Sequence, residues 1–486
     1  MGAFLALLVP PLLSAGVALL VRPFRRWVAW LAAAGSLVSL GAAVVLCFRV
    51  LEHDVALVGV QQLRIDALSA LLALCVTFVA ALAAWLGPGM RPDGGGYDGP
   101  ALRRFTMFTG AFTSSMTIAV TTNNVGFMWI AIEATTLASA VLIPLHVTKA
   151  SVEASWKYIL LGSVGISLAF AGTVLAYFAV VQQSLPGESA LNWTTLMAAA
   201  PELHPEIMKL AFVFLLVGYG TKAALAPMHT WLPDAHAEAP APVSAMMSGV
   251  LLAVAMYAIM RWKAVVDRAV APAFTGQLLI ALGVLSIAIA SLSLVLQRNY
   301  KRMLAYSSVE HSGLICLGLG LGPAGVFAAS LHLLNHAVVK SMLFLLSGRI
   351  LRRYKTTQIS DVSGMLSVMP ATAVLFGLGV LVLVGLPPGG LFISEYALIG
   401  AGFGVGRPWL MAFVLLLLFI AFVALVRHAN RMLFGTAAPA AGEAGEHDRL
   451  ELVPLVVCVV LFVGLGLVMP APLRELLGKI AAGGVR

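Results

Sequence analysis

Fourteen apolar stretches, each long enough to cross a bilayer, take up most of this chain and decide what it can fold into. The hydrocarbon core of a membrane is spanned by a helix of about 20 apolar residues. Helices are expected near 2–21, 28–48, 67–87, 106–122, 125–146, 156–182, 208–226, 242–261, 273–296, 303–321, 323–348, 368–386 with 389–403, 408–434 and 450–473. In lipid every backbone polar group must be satisfied inside the segment, which selects helices. The fold class is therefore an all-α polytopic membrane protein of about 14 transmembrane helices. Only 10% of the 486 residues are charged, against about a quarter in soluble domains, so no stretch remains for a separate soluble catalytic domain. The first segment, LALLVPPLLSAGVALLV, lacks a basic leader and is too long for a signal core; it reads as a retained span.

The net charge of +9 is scattered over short loops, which points to membrane topology and away from nucleic acid. Eighteen Lys and Arg fall in the loops that follow odd-numbered helices, ten fall on the other side with the termini, and two lie inside helices. The excess places the first set in the cytoplasm and both termini on the outer side. RWKAVVDR, after the eighth helix, is an exception with three basic residues on the outer side. Cys47, Cys75, Cys316 and Cys458 are isolated in apolar runs without a C-x-x-C, so neither an iron–sulfur cluster nor zinc is expected on them, and no cofactor is expected.

Two segments interrupt the helical pattern about 160 residues apart: GTKAALAPMHTWLPDAHAEAPAPVSAMMSG at 220–249 and VGLPPGGLFISEYALIG at 384–400. Paired Pro/Gly breaks in matching positions point to an internal repeat with ion sites at the breaks. Helices 4–8 (106–262) and 9–13 (273–434) then form two inverted five-helix repeats, with helices 7 and 12 broken. Residues 1–105 hold helices 1–3 and 450–486 hold helix 14.

The ionisable groups that fall inside these helices are Glu133, Lys222, Glu310, His311, His332, His336, Lys340 and Glu395. A charge at the bilayer centre costs about 2.5–3.5 kcal/mol on insertion scales, so these groups must face one another or water. Glu133 and Lys222, each near mid-span, can titrate as a pair and release a proton when the pairing changes; a static ion pair is the other reading. In HLLNHAVVKSMLFLLSG the four-residue spacing stacks His332, His336 and Lys340 on one helix face. Imidazoles exchange protons near neutral pH, and such a stack can pass them along. An H-x-x-x-H pair can also hold zinc, but no third ligand is near in sequence and the lysine repels a cation, so no metal is expected. Glu310 and His311 could feed the stack or form an interfacial pair, and Glu395 could end the path or sit as a charge at a half-helix N-terminus. His229, Asp234, His236 and Glu238 in HTWLPDAHAEAP fit a proton funnel near the membrane surface or a fixed turn. GPGMRPDGGGYDG, 87–99, lacks G-K-[ST] and reads as a flexible loop.

These residues resemble a known family. HTWLPDAHAEAPAPVSA, the lysine before it, the glutamate in MWIAIEATTL and HLLNHAVVKSMLFLLSG are similar to the antiporter-like proton-translocating subunits of respiratory complex I, multi-subunit sodium/proton antiporters and membrane-bound hydrogenases, over roughly residues 100–435. The resemblance implies that Glu133 and Lys222 are a coupling pair, that the stack lies on a central hydrophilic axis, and that Glu395 is the terminal site. It implies a role for Lys157, in SWKYILLGSVG, which matches a family lysine. Ala253 stands where complex I relatives usually carry a bridging lysine, so waters or His332 would have to link the halves. SSVEHSG together with GLPPGGLFISE is most similar to the component F branch of hydrogenase-4 and formate hydrogenlyase complexes. The implied function is proton translocation in the cell membrane, driven by redox chemistry on hydrophilic iron–sulfur and nickel–iron partners beside other membrane-arm subunits. The chain itself would carry no redox site. A complex I antiporter-like subunit, or a sodium/proton antiporter subunit without a redox partner, is the alternative.

Overall fold

The polar residues that punctuate the apolar runs set the helix ends. The structure, a computed structural model, describes residues 1–58, 62–90, 97, 99–182, 190–436 and 449–483; residues 91–96 and 98, most of the glycine-rich loop read above, lie outside these. The helices are α1 (Gly2–Leu20), α2 (Arg26–His53), α3 (Ala67–Leu86), α4 (Gly99–Thr121), α5 (Val125–Leu142), α6 (Lys149–Val181), α7 (Trp193–Ala199), α8 (Pro205–Lys222), α9 (Trp231–Glu238), α10 (Ala241–Met246), α11 (Leu252–Ala269), α12 (Pro272–Val295), α13 (Tyr300–Gly320), α14 (Gly322–Tyr354), α15 (Met365–Val368), α16 (Pro370–Leu383), α17 (Gly390–Gly404), α18 (Pro408–Leu433), α19 (Val453–Leu467) and α20 (Ala471–Ala481). Asp66, Asn124 and Asn299 cap α3, α5 and α13 by accepting from free N–H groups of the first turn, and Thr148 with Ser151 forms a capping box on α6.

Each of the fourteen apolar stretches falls on one helix or on the two pieces of a broken one. Among the described residues ten helices are long and apolar enough to cross a membrane, with α16 and α17 as shorter apolar pieces. The protein is an all-α polytopic membrane protein. A single π turn, Met247–Leu251, joins α10 and α11 into one continuous helix, Ala241–Ala269. The most apolar windows of that helix and of α14 are 100% buried, whereas those of α1, α2, α18 and α19 are 17–33% buried. Two central pillars thus stand inside a ring of helices whose outer faces are left to lipid or neighbours.

Three features were not visible in the apolar pattern. A two-stranded antiparallel hairpin, β1 (Ala56–Val58) with β2 (Leu63–Ile65), joins α2 to α3. The last span stops at Leu467, earlier than the pattern suggests, because Pro470 and Pro472 start a new helix. That helix, α20, buries Leu476, Leu477 and Ile480, and its Lys479 donates to the carbonyls of Val50 (3.2 Å) and Leu51 (2.7 Å) at the end of α2. The basic exception RWKAVVDR also finds its reason. Arg261 grips both oxygens of Asp66 at 2.6 Å, Lys263 bonds to Asp267, and Arg268 donates to the Met197 carbonyl. These charges are bound within the protein and weigh little in a count meant for free loop charges.

Candidate functional site

Helices α5, α6 and α8 bring the first set of groups together. Lys222 ends α8, fully buried, where the chain leaves the helix at Ala223. Its ammonium does not reach Glu133 directly. It donates to the Thr136 hydroxyl, which in turn donates to a Glu133 carboxylate oxygen at 3.0 Å, and it lies 3.5 Å from the Tyr158 hydroxyl. Ser163 donates to the other Glu133 oxygen at 3.4 Å, and Tyr158 shares a 2.8 Å bond with Ser139. Trp231 packs on Tyr158 and donates to the Thr221 carbonyl at 2.8 Å, tying the second half of the broken helix to the first. Glu133 itself is half-buried, on a helix whose outer face exposes Phe127, Ile130, Leu137 and Val141.

The centre of the molecule holds Lys340 on α14, fully buried. It donates to the Leu304 carbonyl and, at 2.7 Å, to Ser307 on α13. Ser308 donates to the same carbonyl and shares a 2.7 Å bond with Ser248, which lies in the π turn. Such turns are frequent at functional sites because they free backbone groups inside a helix. Below the Lys340 ammonium lies the Phe344 ring, on whose face the imidazole of His236 stacks at 4.7 Å. Both nitrogens of His236 are buried without a hydrogen-bond partner among the described residues. Lys301, also buried, donates to the Ala237 and Ala239 carbonyls at 2.9 and 2.7 Å, at the C-terminal end of α9.

In the second half, α13, α14 and α17 bring three imidazoles and two carboxylates together. His311 Nδ1 and His332 Nε2 are 2.8 Å apart, and His332 Nδ1 is 2.9 Å from the Ser394 hydroxyl. The His336 ring centre is 5.3 Å from that of His311. Glu310, His311 and Glu395 line a cavity of about 20 Å³ with Leu383 and Val384 of the second break. That volume suits a single water. A methyl group on Gly385, at φ +72°, would sit 2.2 Å from a Glu395 oxygen, so the carboxylate folds back against the break where only glycine leaves it space. Ligand atoms of His311, His332 and Glu395 all lie within 4.8 Å of one another. Sequence distance hid this grouping, since the third member comes from α17. Both nitrogens of His332 are already engaged, which suits a hydrogen-bonded relay.

The two breaks share a local conformation. Each carries a positive φ two residues after its helix ends, at Ala224 and at Gly385. The next residue then reaches back five positions: Leu225 N to Gly220 O at 2.8 Å, Leu386 N to Leu381 O at 3.0 Å. The ionisable residue sits before the first break, as Lys222, and after the second, as Glu395.

Lys157 stands apart from the buried groups. It is exposed on α6 and pairs with Glu153 (2.8 Å) and Asp234 (3.2 Å); Asp234 also pairs with Arg302 at 2.9 Å. Its neighbour Tyr158 is the residue that faces Lys222. The segment HTWLPDAH forms neither a funnel nor a single turn at the surface: a 3-10 turn, Met228–Thr230, leads into α9, and both His229 and His236 are buried. Sequence reasoning missed Thr136, Tyr158, Ser307 and Lys301. Hydroxyls are too common in membrane helices to stand out, and Lys301 falls beside a helix start, where a lysine looks solvated.

A family model for the transmembrane region of NADH:quinone oxidoreductase and Mrp antiporter proteins matches residues 122–421. The chain belongs to this family. It is 40% identical over 337 residues to a hydrogenase-4 component F homolog of Methylacidiphilum infernorum, covering 69% of this chain and 71% of the relative. A chain of the membrane-bound sulfane sulfur reductase, an archaeal respiratory membrane complex, superposes with a TM-score of 0.87 at 26% identity, over 99% of this chain and 97% of that one. A chain of the Mrp complex from Dietzia sp. DQ12-45-1b gives 0.86 at 23% identity, over 99% and 97%, and shows the same fold. The protein is an antiporter-like membrane subunit of the kind found in multi-subunit respiratory complexes.

Proposed function

We propose that this chain translocates protons in a hydrogenase-4-like membrane oxidoreductase complex. The observation that carries this reading is the set of buried ionisable groups, hydrogen-bonded as Glu133–Thr136–Lys222 in one half and clustered as Lys340, His336, His311, His332 and Glu395 in the other, where His311 and His332 share a hydrogen bond. Buried groups of this kind are costly to keep, and their proton affinities respond strongly to small shifts of a neighbour.

In this scheme a change in a partner subunit alters the Glu133 environment. Lys222 then tightens or loosens its hold on Thr136, and its proton affinity changes. A proton passes toward Lys340 by water and the hydroxyls of Ser248 and Ser308, which take the place of the lysine that relatives carry at the position of Ala253. Lys340, His336, His311 and His332 hand it on to Glu395, with Glu310 as the opposing charge near Lys340. Glu133 and Glu395 are both half-buried at opposite ends of the row, on faces that otherwise carry apolar side chains. A carboxylate facing lipid would be unfavourable, which supports coverage by other membrane-arm subunits at both ends. The matching conformation of the two breaks supports an inverted repeat over 106–262 and 273–434. Lys157 belongs to a surface network with Asp234 that would supply protons to the row. Iron–sulfur and nickel–iron subunits as redox partners, the cell membrane as location and outward-facing termini complete the reading.

The test is to purify the complex through this subunit, identify its partners by mass spectrometry, and measure proton uptake in proteoliposomes. Hydrogenase-type partners with coupled proton transport are expected. Cation/proton exchange with no oxidoreductase attached would replace this reading with that of an antiporter subunit.

A further inference from the structure

Ser394 uses its one hydrogen on the Leu391 carbonyl, 2.8 Å away, so toward His332 Nδ1 at 2.9 Å its oxygen accepts. In the neutral imidazole Nε2 then carries a lone pair, and His311 Nδ1 donates to it at 2.8 Å. The far nitrogen of a metal-bound histidine is held in the same way, by an acceptor that fixes the ring and its tautomer. The Glu395 carboxylate, brought in by α17, completes a trio whose ligand atoms lie within 4.8 Å of one another. Ligand atoms around a tetrahedral zinc ion stand about 3.3 Å apart, so small side-chain shifts close the trio on an ion. The adjoining cavity of about 20 Å³, lined by Glu310, His311 and Glu395, has room for a water as fourth ligand. Two carboxylates, Glu310 and Glu395, balance a divalent charge. His336 Nε2, buried without a partner among the described residues on a ring 5.3 Å from that of His311, adds a further nitrogen to the wall. The sequence neighbourhood of His332 lacks a third ligand because that ligand lies on another helix. Lys340 stands two turns further along α14, about 12 Å away, so its repulsion of a cation at His332 is modest.

We propose that His311 Nδ1, His332 Nε2 and the Glu395 carboxylate bind a divalent transition metal of the zinc class. The ion takes the place of the proton between the two imidazoles, and that proton moves to His311 Nε2. Two imidazoles with one carboxylate suit zinc better than magnesium or calcium, which take oxygen ligands. Glu395 is half-buried and the imidazoles are enclosed, so the ion enters past the carboxylate. Once bound, it ties α13, α14 and α17 together and interrupts proton transfer among them. The binding stands apart from the proton-translocation reading; the interruption rests on it.

The experiment titrates Zn²⁺ into the full-length protein, purified in detergent without a polyhistidine tag and stripped with a chelator, and measures the metal retained after gel filtration. One zinc per chain should be retained, and Co²⁺ in its place should show the intense visible bands of a tetrahedral ion. Glu395→Gln and His332→Gln should each abolish retention. Ser394→Ala, which removes only the acceptor behind His332, should weaken binding about tenfold. His53→Gln, at an exposed histidine outside the trio, should leave it unchanged. No retained zinc in the folded wild-type protein, wild-type retention in both Glu395→Gln and His332→Gln, or a Co²⁺ spectrum of octahedral type would overturn the proposal. Zinc held by the trio while the reconstituted complex takes up protons at its full rate would support the site and contradict the proton path.

Discussion

The His332 imidazole lies between two partners, His311 Nδ1 at 2.8 Å and Ser394 Oγ at 2.9 Å, so its two nitrogens are committed to different helices. The bond at one ring nitrogen sets which tautomer the other presents. Ser394→Ala removes that fixing partner from a fully buried position with little change in volume. Proton uptake by the reconstituted complex should fall by about an order of magnitude at unchanged assembly, the size typical of a displaced proton-transfer partner. Unchanged uptake would mean that Ser394 only fills space.

Thr136 is the only residue through which Lys222 and Glu133 are hydrogen-bonded to each other among the described residues. Thr136→Val keeps the shape and removes the hydroxyl. Coupled proton transport should drop at least about tenfold, whereas Thr136→Ser should retain most of it, because the bridging oxygen remains. A valine variant that pumps normally would show that the acid and the lysine act without this bridge.

Gly385 and Gly322 offer a matched pair. Both have φ above +70°, so alanine is strained at either, but only at Gly385 would the added carbon strike the Glu395 carboxylate. Gly322→Ala should cost about 1–2 kcal/mol of stability and leave transport intact. Gly385→Ala should impair transport as severely as Glu395→Gln, read by proton uptake and by thermal unfolding of the purified protein.

The Asp66 clamp lies outside the proton row and is expected to matter for stability. Burial alone pushes the Asp66 pKa up, but Arg261, Arg64 and the Ser69 N–H outweigh it and hold the carboxyl at about 2. The pKa is lowered on folding, so its contribution is full above the ordinary carboxylate value of about 4 and is lost as pH falls from there toward 2. Thermal stability in detergent should therefore hold steady from this source at neutral pH and fall below about pH 4. Asp66→Asn should remove about 3–5 kcal/mol at neutral pH, because it leaves buried arginines unpaired, and should flatten that acid limb.

Much of this architecture could be read from the chain. The apolar runs gave the helices and the prolines gave both breaks, since lipid permits few alternatives to a helix and proline marks where one stops. Glu133, Lys222 and the histidines stood out because a lone charge in an apolar run has no trivial reason to be there. What the pattern could not give was partnership across distance. Asp66 and Arg261 are 195 residues apart and meet only in the folded protein. Lys157 and Tyr158 are adjacent in sequence, yet the helix turns the lysine to the surface and the tyrosine toward Lys222. His236 looked like part of a surface turn because proline surrounds it, and the fold instead buries it against Phe344.

The most direct measurement is the proton-to-electron ratio of the reconstituted complex carrying Lys340→Met. Methionine keeps the length of the lysine stem, and co-purification of the partner subunits with the variant checks that the subunit folds and assembles. The row of buried groups would lose its central member. Electron transfer on the partner subunits is expected to continue while the protons moved per electron fall clearly below wild type. A variant that assembles and keeps the full wild-type ratio would contradict a proton path through this row.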